Sequence, residues 1–238
     1  MFDLNLCKCK KCSKPALSYF DENGELVKDF DLHTKLNDED FGYCLEHHPN
    51  QEKISAQIKK YINQHEKIVG LNASEISFCG DDLNNKKFFG CNFSNCTLKN
   101  IHSNGLTMRM CNLDFCTCTD CDFISSNIQF TNFSGSKLVH VILTGSDLIH
   151  NNFNGITAYQ TSFDDSDLYN SRFIKSVLIT VSMNNCNLKK TVFYESMKDN
   201  VSFKLSNTRE ALMNRFEGSF ISDIRNSATE NNEGDLKL

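Results

Sequence analysis

The chain has 238 residues, 39% of them apolar and 23% charged, with no tryptophan, which is the make-up of a folded soluble protein and not of a disordered one. The formal charge of −5 is spread thinly: residues 72–205 hold 11 Lys/Arg against 12 Asp/Glu, so no basic footprint predicts direct nucleic-acid binding. No stretch reaches the roughly 20 apolar residues of a membrane span, and the opening MFDLNLCKCKKC lacks the apolar core of an export signal, so the twelve cysteines are expected to be reduced, in the cytoplasm.

Residues 1–49 read as a small metal-bound module. Cys9-x-x-Cys12 and Cys44-x-x-His47 form two half-sites with 31 residues between them. Such spacings let two ligands from one turn point at one ion, and tetrahedral Zn2+ accepts a Cys3His set. Cys7 and His48 stand as alternates, with His33 a weaker reserve. Four protein ligands leave no open position, so the expected zinc is structural and not catalytic. Between the half-sites a β-hairpin is expected, with strands at 16–20 and 26–32 and a turn over 22–25. Some fifty residues hold little core, which is why an ion is useful there.

Residues 50–71 read as a linking and capping helix. Ile54, Ile58, Tyr61, Ile62, His65 and Val69 fall on one face of a helix over 50–69, which would cover the start of the repeat region.

From Phe78 to Phe203 every fifth residue is Phe, Leu, Ile or Met, with Ser103, Cys118, Ala158 and Lys198 as the exceptions. The position two before each is mostly small or β-branched, and the other three are rich in Asn, Asp, Ser, Thr, Lys and Gly. Each repeat thus buries one large and one small side chain. Ser103 is small in a large slot, but Ile101 fills the small slot beside it; Ala158 and Ile156 trade places in the same way. Such swaps conserve interior volume. Steps of twenty link like residues, as in Phe93, Leu113, Phe133, Phe153, Phe173 and Phe193. Four repeats therefore make one coil, and residues 72–205 are predicted to form an all-β, four-sided parallel β-helix of about 6.5 coils, each ~4.8 Å high. Six of the cysteines lie in the small slot and read as small buried side chains.

The repeats Cys-Asn-Phe-Ser-Asn at 91–95, Ser-Asp-Leu-Ile-His at 146–150, Ser-Asp-Leu-Tyr-Asn at 166–170 and Cys-Asn-Leu-Lys-Lys at 186–190 carry a resemblance to the pentapeptide repeat protein family. That resemblance implies a right-handed quadrilateral β-helix with no active-site cleft. Some members of the family imitate duplex DNA and bind or protect the type II topoisomerase gyrase, which gives the alternative function. That role asks for a strongly negative surface, and this rod is nearly neutral.

Outward positions of the rod should be polar, so apolar ones are informative. Val139, Tyr159 and Ile179 are twenty apart and stack on one face, joined by Val177 and Met197. They are the candidate contact surface for a protein partner of unknown identity, a second copy of the chain included. Asp81-Asp82 and Asp164-Asp165 are adjacent carboxylates that point apart in extended chain, and no nucleophile–base arrangement stands out. The expectation is therefore a non-enzymatic scaffold. A short capping helix over 206–222, started by Asn207 or Thr208 with Leu212, Met213 and Phe216 on its apolar side, and a disordered tail over 223–238 complete the reading.

Overall fold

The computed structural model describes residues 5–27 and 40–212. From residue 66 the backbone winds as a parallel β-solenoid whose strands pair with partners twenty residues on, such as Lys67 with Lys87 and Tyr159 with Ile179. One face is a four-stranded sheet of Lys67–Val69, Lys87–Phe89, Thr107–Arg109 and Asn127–Gln129. Another joins Ser77–Cys79, Thr97–Lys99, Thr117–Ile124, Lys137–Ile142, Thr157–Tyr159, Val177–Ile179 and Met197–Asp199. Single bridges build the remaining two faces, one through Asn72, Asn92, Asn112, Asn132 and Asn152, the other through Ile142, Ser162, Ser182 and Ser202. The solenoid makes about seven turns.

The large slots fill the axis as the repeat predicts. Phe133, Phe153, Phe173 and Phe193 form one stack with ring centroids 5.0, 4.8 and 5.1 Å apart. Ser103, Cys118 and Ala158 are buried in their slots, whereas Lys198, inward near the last coils, is half-buried and donates to the Ser196 carbonyl at 3.1 Å.

The small slots are chosen for a hydrogen bond as well as for size. Ser136 Oγ donates to the Leu113 carbonyl at 2.7 Å, Ser146 to Phe123 at 2.9 Å, and Cys116 and Cys186 Sγ to Phe93 and Phe163 at 2.9 and 3.0 Å. Each bond runs from a small-slot residue to a large-slot carbonyl on the coil before. That carbonyl is buried and needs a partner. A thiol is a weaker donor than a hydroxyl, but Cys116 and Cys186 point theirs the same way, so these cysteines are donors as well as fillers.

Every fifth residue from Gly70 to Glu210 has a positive φ, and this sets the four corners. Only seven of these corner positions are glycine; Phe115, Phe130 and Thr180 hold the same left-handed conformation at φ of 54°, 51° and 54°.

The helix is Gln51–Gln64, started by Asn50, whose Oδ1 accepts from the Lys53 amide at 2.9 Å. Ile54, Ile58, Tyr61 and Ile62 are buried over the first coils as expected. The helix stops five residues before Val69, because Lys67-Ile68-Val69 pairs as a strand with Lys87–Phe89 and Gly70 turns the first corner at φ +74°. His65 caps the end, and Lys86 Nζ donates to the carbonyls of Asn63 and His65, both at 2.9 Å. The coil thus begins earlier than the sequence suggests. It also runs later: Asn207 bridges Asn187 and Leu212 bridges Val192, where a helix start was expected. Ser206 continues the small-slot pattern, donating to the Met183 carbonyl at 2.6 Å. The rest of the expected capping helix, with Met213 and Phe216, and the tail over 223–238 lie outside the described residues. Among the described residues no helix is long and apolar enough to cross a membrane.

Candidate functional site

The N-terminal segment folds as two loops laid against each other. The first is a turn over 7–14, closed by an antiparallel bridge from Leu6 to Pro15 and by the Cys7 amide donating to the Lys14 carbonyl at 2.9 Å. The second, over 42–48, contains the short 3-10 turn Leu45–His47, in which the His47 amide reaches the Cys44 carbonyl at 3.2 Å. Lys8 donates to the Gly42 carbonyl and Leu17 to the Tyr43 carbonyl, both at 2.8 Å, which brings the loops together. The hairpin forms at its described end: Phe20 bridges Leu26, and Gly24 takes φ +82° in the turn. Its second strand beyond residue 27, and His33, lie outside the described residues.

Between the loops the ligand atoms of Cys7, Cys12, Cys44 and His47 lie within 4.8 Å of one another and could hold a metal ion. Cys12 Sγ is 3.9 Å from Cys44 Sγ, and His47 Nδ1 lies 3.7 Å from Cys7 Sγ and 3.2 Å from Cys44 Sγ. Three of the four residues of the expected set, Cys12, Cys44 and His47, are in this cluster. The fourth place goes to the alternate Cys7, and Cys9 stays outside. Cys9 sits in the turn between Cys7 and Cys12, where its carbonyl accepts from the Cys12 amide at 3.1 Å. Burial pushes the Cys7 thiol up, but hydrogen bonding from the Cys44 and Cys9 backbone and from the Cys44 and Cys12 thiols outweighs it and brings the thiol down to about 7. Burial raises Cys44, and the neighbouring Cys7 and Cys12 sulfurs raise it further. The other alternate, His48, is buried in the turn, where its Nδ1 accepts from the Asn50 amide at 3.0 Å; burial disfavours its charged form.

The expected contact strip lies on the outer side of the long sheet. Val139, Tyr159 and Ile179 are consecutive register partners, and Val177 pairs with Met197 in the next column. Tyr159 is 41% and Met197 53% exposed, while Val139, Val177 and Ile179 are half-buried. The His140 ring packs beside Tyr159 at 5.9 Å and holds Asp120 at 2.9 Å. Aspartate closes the strip at Asp199, the partner of Ile179.

Exposed side chains that the repeat pattern passes over as polar stand at the corners. Met110, Phe130 and His150 follow one another at one corner, the last two stacked at 4.9 Å. The Phe115 ring lies flat over Gly135, where an added Cβ would come within 2.5 Å of it. An apolar residue at a corner was the available signal.

A family model of pentapeptide repeats matches residues 108–139 and 126–165. No curated protein matches the chain in sequence. Among solved structures, a trypsin-treated variant of QnrB1, a plasmid-mediated fluoroquinolone resistance protein, is 14% identical over 66% of this chain and 86% of its own, with a TM-score of 0.47. HetL, a pentapeptide repeat protein involved in heterocyst differentiation regulation from the cyanobacterium Nostoc, is 13% identical over 65% of this chain and 92% of its own, with a TM-score of 0.24. A pentapeptide repeat protein from the Arabidopsis thaliana thylakoid lumen is 24% identical over 46% of this chain and 69% of its own, with a TM-score of 0.21.

Proposed function

We propose that this chain, whose rod is a pentapeptide-repeat β-helix, is a non-enzymatic scaffold that meets a protein partner through its long sheet and carries a structural zinc ion in its N-terminal module. The observation behind the scaffold reading is the strip of Val139, Tyr159, Ile179, Val177 and Met197, in which two adjoining outward columns turn apolar over consecutive coils. The interior is filled by stacked side chains, so recognition falls to the outer faces. A rigid strip of side chains held in register loses little conformational freedom when a partner covers it.

The zinc reading rests on the donor set and its spacing. A tetrahedral zinc with Zn–S near 2.3 Å and Zn–N near 2.0 Å sets S···S edges of about 3.8 Å and S···N edges of about 3.5 Å. The separations of 3.9, 3.7 and 3.2 Å bracket those edges. Soft thiolates with one imidazole suit zinc over the hard cations.

Capture of partners from native cell extract tests the scaffold, comparing the wild type with a Tyr159→Lys, Ile179→Lys double variant. Both substitutions face outward, so the fold is retained and the partner is expected to be lost. A double variant that captures the same protein equally well removes the strip from the reading.

A further inference from the structure

We propose that the Cys3His cluster is a metal-operated strap on the open edge of the rod: the ion holds the N-terminal loops against the first coil, and its removal frees that coil's edge. This rests on the metal reading above and adds what the ion is for.

A β-helix leaves unpaired backbone groups on its first coil, and proteins cover such edges. Here the cover is the N-terminal segment. The Ser18 amide donates to the Asn72 carbonyl at 3.0 Å, and the Asn72 amide donates to Ser18 Oγ at 2.7 Å. Asn72 Nδ2 also donates to the Ala16 carbonyl. So the segment saturates Asn72, the first rung of the asparagine face. Leu17 and Phe20 join the same apolar core as the helix and the first coil, with the Phe20 ring 5.2 Å from Tyr61.

The strap is tied at the ligands. Lys14, two residues past Cys12, pairs with Glu75 on the coil at 2.7 Å and with Glu46, next to His47, at 2.9 Å. One lysine thus links both ligand loops to the rod. Without an ion, the contacts that join the two loops include the Lys8–Gly42 and Leu17–Tyr43 backbone bonds, the Lys14–Glu46 pair, Lys8 Nζ over the Tyr43 ring at 4.1 Å and the Tyr19–Phe41 ring contact at 5.5 Å. A partly exposed pair such as Lys14–Glu46 is worth up to about 1 kcal/mol, or about fivefold in an equilibrium, and reversing the charge at Lys14 would set it against both Glu46 and Glu75. The free energy of metal binding becomes folding free energy for such a module, and the residues it orders are the ones that cover Asn72.

Hydrogen exchange on the whole chain tests this, read together with metal content by mass spectrometry. Zinc-loaded protein is expected to carry one ion per chain and to protect the amides of Ser18 and Asn72. Chelation is expected to speed exchange at both by at least tenfold while the Phe153 amide, deep in the rod, is unchanged. Lys14→Glu, which leaves all four donors in place, is expected to keep its ion yet to exchange several-fold faster at Asn72. Equal exchange at Asn72 in loaded and chelated protein, with one zinc bound beforehand, overturns the strap and leaves the zinc site standing. Lys14→Glu that behaves as wild type overturns it as well. A chain that binds no zinc overturns the metal reading itself, and the metal measurement tells that failure from the others.

Discussion

Cys118 is the one small residue in a large slot whose neighbour does not make up the volume. Leu71 beside Ala73, Ile101 beside Ser103 and Ile156 beside Ala158 each supply what the other slot lacks, but Cys118 has Cys116 beside it. It lies between Leu98 and Leu138 in register, and these three are among the residues that line an apolar cavity of about 30 Å³ running along the axis from Ile62 to Phe153. Replacing Cys118 with Leu matches its neighbours and fills part of that space. At about 24 cal/mol per Å³ of cavity, closing all of it would be worth about 0.7 kcal/mol. Burying two further methylene-sized groups at about 0.8 kcal/mol each puts the upper figure near 1.6 kcal/mol. For a chain of this size the Tm should rise by roughly 2–6 °C, read by circular dichroism melting alongside the wild type. Cys118→Ala should move the other way, since it enlarges the same cavity. A leucine variant that melts lower than the wild type would show that the space is not there, and that volume compensation between slots does not govern this core.

Two further substitutions probe the other rules of the coil. Ser136→Ala removes the donor to the Leu113 carbonyl and the acceptor of the Cys116 amide at 2.9 Å, leaving two buried groups unpaired, and should cost about 1–3 kcal/mol in urea unfolding; an effect below about 0.5 kcal/mol would reduce the small slot to a matter of size. Thr180→Asn relieves a β-branched residue held at φ +54° and sets an amide beside Asn200, so it should stabilise by about 1 kcal/mol in the same assay; a loss of stability would mean that the corner tolerates branching without strain.

The rod was legible because its interior repeats as a matter of geometry. A chain that turns every five residues must return an inward side chain at that interval, so the spacing of Phe133, Phe153 and Phe173 is enough to place them in one stack. The ends were harder. Leu71 and Ala73 are another traded pair, but a small residue in the first large slot breaks the pattern where it meets the helix, and Val69 fits the helical period by coincidence. Corners were illegible for a different reason. The coil imposes a positive φ on whatever residue stands there, so Phe115, Thr180 and Glu210 carry no local sign of it. Tertiary context overrides propensity at those points. At the Cys3His cluster the residue types were readable, and spacing singled out Cys12, Cys44 and His47, three of the four residues that the fold brings together. Whether Cys7 or Cys9 joins them depends on how the turn over 7–14 folds, and spacing does not encode that.

The same division explains where function can reside in such a chain. Inward positions are bound to each other, through ring stacks and through hydroxyl or thiol donors reaching the coil before, so a change there is felt by the neighbouring coils. Outward columns lie off the axis, and where they are not tied to one another, as the asparagine amides of one face are, their side chains vary at less cost to the coil. Polar residues cost least in water, so a column that turns apolar over consecutive coils needs a reason beyond folding. At Val139, Tyr159 and Ile179 the sheet supplies part of that reason, because β-branched and aromatic residues pack well across parallel strands. Packing across strands does not account for Met197, unbranched and 53% exposed, next to Val177. That residue adds exposed apolar surface to the strip, on the side of the sheet where the proposed partner would sit.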